Sequence, residues 1–296
     1  MSLPHGLYLC LEDWTNAVAA PDPSAWEALQ APLDDPWAEL VRQAVLARWH
    51  SDLAARQALL PILAQAAEQL QVQPDLDQAM AYAYALSLLS DIAPPQAAAP
   101  LHTVVQTCYQ AEGLEARLRA MPLLMVVGVL LDEVALRQDA ARHFRVIIDD
   151  HLHPEGYLPQ LVQEDKRPGS FQRQWEAARA LVLTAQAYEG AGLWDYHNRG
   201  VSVLTAVAYA QYYTLFPDKW RWEKDVAPEA IEARLRQRGA FLEFVFRRAR
   251  LRNMQFVMDK GRPFFDAYGG GATTLLCAPL PPAKPKPSGW RLFRRG

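Results

Sequence analysis

The stretch DDHLHPEGYLPQLVQEDKRPGSFQRQWEAARALVLTAQAY, residues 149–188, decides how the chain is read. Its first part runs into His153-Pro154-Glu155-Gly156, where proline and glycine punctuate the backbone. A charged loop follows, with Glu164, Asp165, Lys166 and Arg167. From Phe171 onward Trp175, Ala178, Leu181, Val182, Ala185 and Tyr188 recur at three- and four-residue steps, one buried face of a helix. A charged loop between two buried helices is where an all-helical domain usually carries its chemistry.

The same period extends in both directions. Helices are predicted over 37–49, 52–71, 77–92, 97–111, 114–133 and 137–151 before this stretch, and over 196–216 and from 228 toward 258 after it. Pro61 should kink or divide the second of these, and Pro228 stands at the first position of the last. No period-two alternation competes, so the chain is predicted to be all-α. The periodicity alone leaves a bundle and a toroid open. Residues 1–36, rich in Pro, Asp and Trp, read as an irregular arm packed on a domain spanning 37–277, with a short helix near 24–29. Residues 278–296 form a proline-rich basic tail, expected to be extended.

With 51% hydrophobic and 21% charged residues in 296, the chain can bury a sizeable core. A formal charge of -3 gives no whole-protein footprint for nucleic acid. No apolar run approaches the about 20 residues that a membrane span needs. Cys10, Cys108 and Cys277 lack metal-ligand spacing and read as free thiols, so neither a metal nor a cofactor is expected. No signal peptide is visible, which points to the cytoplasm, or to the periplasm if an export signal has been removed.

Gly156-Tyr157-Leu158-Pro159, a basic loop, and the helix ending in Gly192-Leu193-Trp194-Asp195-Tyr196 together resemble the central segment of the alginate lyase family of polysaccharide lyases. Gly239-Ala240-Phe241-Leu242-Glu243-Phe244, then Arg262-Pro263-Phe264-Phe265 and Gly269-Gly270-Gly271-Ala272-Thr273-Thr274-Leu275-Leu276, are similar to later ones. Pro4-His5-Gly6-Leu7-Tyr8 is similar to the start of the mature domain. The resemblance implies an incomplete (α/α) toroid of antiparallel helix hairpins around a cleft. It also implies an acidic, uronate-containing polysaccharide or oligosaccharide as partner, cleaved by β-elimination. That reaction needs positive charge or donors on the carboxylate, a base for the C5 proton and an acid for the leaving oxygen.

The resembling family uses an Asn-His pair, an Arg and a Tyr, and here the sequence departs. The Asn-His position falls near Glu115-Ala116-Arg117, and the Tyr position near Arg173-Gln174. Candidate bases are therefore Tyr109, His143 and Tyr157, although Tyr157 equally packs the turn and His143 and His102 equally serve structure. Candidate substrate-binding residues are Arg117, Arg167, Arg173, Gln174, Trp175 and Glu243. Arg167 and Arg173 suit a carboxylate bidentately. Trp175 is either a sugar-stacking platform or core, and Glu243 is a possible buried partner for one of those arginines. Arg234, Arg236, Arg238, Arg247, Arg248, Arg250 and Arg252 form either a track for an acidic polymer or a solvated face paired with Glu229 and Glu232. Gly269-Gly270-Gly271 lacks a phosphate-loop context and reads as a tight turn with positive φ. The alternative function is a non-catalytic scaffold or interaction protein in exopolysaccharide biosynthesis.

Overall fold

The computed structural model describes residues 7–9, 11–110, 112–164, 168–224, 226–249, 251 and 253–277. Aspartates start four of the first six helices. Asp22 caps α2 (Pro23–Gln30), Asp35 caps α3 (Pro36–Trp49), Asp52 caps α4 (Leu53–Ala58) and Asp75 caps α6 (Leu76–Leu88). Each carboxylate accepts from backbone N–H groups that the helix leaves unpaired. The expected helix over 52–71 is divided at Leu59, and Pro61 sits in the first turn of α5 (Leu60–Val72). There its missing N–H costs nothing.

The arm is more ordered than its composition suggested. It forms α1 (Leu11–Ala19) and α2, and Trp14 and Trp26 pack on Trp49 of α3 at ring distances of 6.2 and 5.0 Å. Tyr8 and Trp14 are buried, which removes large apolar surfaces from water. The tail 278–296 lies outside the described residues.

After α6 come α7 (Ala99–Gln110), α8 (Leu114–Leu130), α9 (Val134–Val146) and α10 (Ser170–Ala187). The chain then forms α11 (Val203–Leu215), α12 (Pro228–Arg238), α13 (Phe241–Ala249), α14 (Met254–Gly261) and α15 (Thr273–Leu276). Two layers result. An inner series α3, α6, α8, α10 and α13 packs neighbour to neighbour, while α5, α7, α9 and α11 lie outside as hairpin partners. Burial follows the sequence. Helix α6 is buried at every position from Ala79 to Leu88, and α8 from Ala120 to Gly128, as helices apolar all round must be. This is an (α/α) toroid.

One local expectation fails. Residues 197–202 are not helical but form a small antiparallel hairpin, β1 (His197–Asn198) with β2 (Val201–Ser202), turned at Arg199 and Gly200 with positive φ. Strands of two residues are too short for alternation to register. The irregular run expected after Pro228 resolves into α12, α13 and α14.

The toroid is tied to its C-terminal loop by a buried ion pair. Arg179 of α10 donates to Asp266 Oδ2 from Nη2 at 3.0 Å and from Nε at 3.2 Å, and Nη2 also donates to the Tyr268 carbonyl at 2.7 Å. Asp266 bonds across the loop to Gly271, whose φ of 69° sets the turn, as the glycine run suggested. A side chain at Gly271 would collide with the Tyr84 ring, 2.5 Å from its Cβ. Removing one member of a buried pair leaves an uncompensated charge, so Asp266→Ala is expected to cost about 3–5 kcal/mol. Urea unfolding followed by helical ellipticity checks this, and an unchanged midpoint would contradict it.

Candidate functional site

A cleft of about 310 Å³ opens at one end of the inner layer. Helical spacing explains its walls. Glu115, Leu118, Arg119 and Pro122 face it from α8; Arg173, Glu176, Ala177, Ala180 and Leu183 from α10; Arg234 and Arg238 from α12. Each set recurs at three or four residues, one helix face. Asp77 and Met80 of α6, Tyr268 from the C-terminal loop and Arg179 also line the cleft. Pro122 has no N–H, so the Leu118 carbonyl one turn earlier lacks its helical donor.

Charged and apolar side chains share the lining. Arg179 is buried, and burial opposes its charge, yet the carboxylates of Asp266, Glu176 and Asp77 outweigh that and push its pKa up. Glu176 bridges two arginines, 3.3 Å from Arg179 Nη1 and 2.9 Å from Arg234 Nη1. Arg238 pairs with Asp77 at 3.0 Å and Asp266 at 3.6 Å, with its guanidinium 4.5 Å from the Tyr268 ring centre. The Tyr268 hydroxyl donates to Asp35; burial first, and then this bond, push its pKa up. Arg173 donates to the carbonyls of Leu161 and Pro168 at 3.2 and 2.8 Å. Among the described residues Arg119 makes no hydrogen bond or ion pair, and its side chain is exposed on the cleft wall.

The residues singled out from sequence fall in different places. Arg173 lines the cleft, and Arg167 lies outside the described residues. Trp175, 1% exposed and edge-on to Phe241, offers no face for a sugar. It is core. Gln174 is buried too, and clamps the turn by accepting from Leu158 N–H at 2.9 Å and donating to the Gly156 carbonyl at 3.0 Å. Gly156 itself, at φ 104°, lies against α11, where a side chain would meet Tyr209 Cβ at 2.8 Å.

Tyr157 is buried under that turn, stacked on His153 at 4.4 Å, its hydroxyl accepting from Gln163. Tyr109 is exposed on α7 and donates to Asp139 of α9 at 2.9 Å. His143 sits one turn beyond Asp139 on α9; burial first, and the nearby Arg142, lower its pKa. Neither side chain lines the cleft, nor does the exposed Arg117. Glu243 is buried against Arg262, with two contacts of 2.8 Å, rather than against a cleft arginine.

The arginine cluster divides. Arg234 and Arg238 face the cleft, whereas Arg247 pairs with Asp13 and Arg248 with Glu189. Arg250 and Arg252 lie outside the described residues. Arg119, Glu176, Arg179 and Tyr268 line the cleft without having been singled out from sequence. Arg179 carried a signal nonetheless, as a charge four residues beyond Trp175 within an apolar stripe.

No family model and no curated protein sequence matches the chain. Solved structures do. The crystal structure of alginate lyase A1-III from Sphingomonas species A1 aligns at a TM-score of 0.65 and 18% identity, covering 83% of this chain and 75% of that one. A histidine-to-alanine variant of the same lyase complexed with a tetrasaccharide aligns at 0.66 and 19%, covering 84% and 76%. What they share is the fold. The chain has an alginate lyase-like toroid.

The α10 wall is anchored at its start by Glu223, which accepts from the N–H groups of Gly169 and Ser170 at 2.8 and 2.9 Å and from the Ser170 hydroxyl at 3.0 Å. Burial raises the pKa of Glu223, but these bonds to the charged form outweigh it and the net shift is downward. A depressed carboxylate contributes stability above its unfolded value, about 4.3, and that contribution is lost as pH falls through the folded value. Glu223→Gln is therefore expected to lower stability by about 1–2 kcal/mol at pH 7 and to flatten the decline below about pH 4.3. Urea titrations at pH 7 and pH 3.5 decide; equal differences between variant and parent at both would contradict the linkage.

Proposed function

We propose that the cleft binds an acidic oligosaccharide through the sugar's carboxylates and cleaves it by β-elimination only slowly. The observation that carries this reading is Arg119, which among the described residues has no partner, on a wall where five arginines face three lining carboxylates and the buried Asp266 behind them. A net positive cleft raises the local concentration of anionic ligands, and its volume lies at the lower end of the range for small-molecule sites. The toroid shared with a lyase whose variant was crystallised with a tetrasaccharide supports a sugar as ligand. A pure scaffold would have no use for these inward charges.

Slow chemistry follows from the groups within reach. An arginine stays protonated at any accessible pH, so it stabilises developing negative charge but takes no proton. The Tyr268 hydroxyl is committed to Asp35 and holds its proton more tightly than an ordinary tyrosine. Glu176 has both carboxylate oxygens engaged, Oε2 by Arg179 and Oε1 by Arg234. Among the described residues no histidine or asparagine lines the cleft. Lack of a placed general base costs about 10²–10⁴-fold in rate.

Arg119→Ala should weaken binding of a mannuronate trisaccharide about ten-fold, the loss of one charge-assisted contact. Calorimetric titration of parent and variant measures it, and equal affinities would remove Arg119 from the site. Ultraviolet absorbance of the unsaturated product, followed on alginate, polymannuronate and polyglucuronate, should grow slowly. Rapid growth proportional to enzyme on any of them would overturn the slow-cleavage half of the reading.

A further inference from the structure

We propose that Glu176 is a built-in stand-in for the ligand's carboxylate: it occupies Arg234 in the free protein and yields it when an acidic oligosaccharide enters. The proposal rests on the reading of the cleft as an acidic-sugar site and identifies which arginine exchanges its partner there.

The argument is one of unequal commitment. Glu176 contacts two arginines, but only one depends on it. Arg179 has Asp266 and the Tyr268 carbonyl as further acceptors, and its side chain is 9% exposed. Among the described residues Arg234 has Glu176 alone, 2.9 Å away, and the two side chains remain 26% and 30% exposed. Ligand can therefore reach this pair. A carboxylate arriving at Arg234 would reproduce the contact that Glu176 makes, and Glu176 would keep its bond to Arg179. Exchange leaves no buried charge unpaired, which is the usual barrier to breaking an ion pair.

The neighbouring pair serves as a built-in comparison. Arg238, one turn further along α12, pairs with Asp77, yet it also faces Asp266 and lies over the Tyr268 ring. Loss of Asp77 leaves Arg238 held. Asp77→Asn and Glu176→Gln each remove one negative charge from the same cleft, so they change its long-range field alike. Only the second liberates a guanidinium.

A placeholder of this kind would set specificity. A neutral sugar has no group to displace Glu176 and gains nothing from Arg234, whereas a uronate recovers the contact it breaks. Neutral oligosaccharides are thereby refused by the same pair that admits acidic ones.

The test is calorimetric titration of the full chain with a mannuronate trisaccharide, and with cellotriose as neutral probe, at fixed ionic strength. Glu176→Gln should bind the uronate about five- to tenfold more tightly than the parent, while its melting temperature falls because Arg234 has lost its partner. Asp77→Asn should stay within about twofold. Arg234→Ala, a change on a half-exposed helix position, should bind about fivefold more weakly. Cellotriose should bind no better to any variant. A Glu176→Gln affinity equal to or below the parent's would overturn the exchange, as would an equal gain in Asp77→Asn or an unchanged affinity in Arg234→Ala. If neither parent nor Glu176→Gln takes up the uronate at all, the reading of the cleft falls, and the exchange with it.

Discussion

A guanidinium in the middle of a buried helix face demands a carboxylate, and most of the cleft follows from how Arg179 meets that demand. No residue of α10 supplies the full answer; Glu176, one turn earlier, reaches only one nitrogen, at 3.3 Å. The remaining donors take Asp266 and the Tyr268 carbonyl, both from a loop almost ninety residues away in sequence. That loop is therefore drawn against the inner layer, which places Tyr268 on the cleft rim and brings a second carboxylate within 3.6 Å of Arg238. The glycine run makes the approach possible, since a side chain at Gly269 would collide with the Arg179 guanidinium. Packing, loop path and cleft charge thus share one cause.

The fold was legible because its inner helices are written in long apolar stretches. Ala79 to Leu88 and Ala120 to Gly128 have no polar face to misread, and Pro61 divided its helix where a proline can begin one. The hairpin at 197–202 was not legible, because strands of two residues carry no period and only Gly200 hinted at a turn. The site was legible in part. Arg173, singled out through its loop, lines the cleft, but Trp175 and Gln174, close to it in sequence, turn inward by the rotation of the helix. One residue of helical register separates cleft from core. Arg119 was missed for the same reason: counting along the sequence stopped at Arg117, whose side chain faces outward.

Sharing a toroid with a lyase fixes the fold and leaves the reaction open. The chemistry lies in the side chains, and here they form a wall of paired charges in which Arg119 has no partner among the described residues. Tyr109 and His143, two of the three proton-transfer candidates nominated from sequence, instead flank Asp139 on the outer helices α7 and α9, and the third, Tyr157, is buried at the turn after His153. The two faces make opposite claims about where a ligand would sit. Geometry favours the inner one, where concavity excludes water and strengthens each charge–charge contact.

Hydrogen exchange of the full chain with and without a mannuronate oligosaccharide separates these claims most directly. The account predicts slowed exchange in the cleft segments of α8, α10 and α12, around Arg119, Glu176 and Arg234, because a bound ligand suppresses their local opening. Slowed exchange confined to α7 and α9 around Tyr109 and His143, or no change anywhere at saturating ligand, would contradict it.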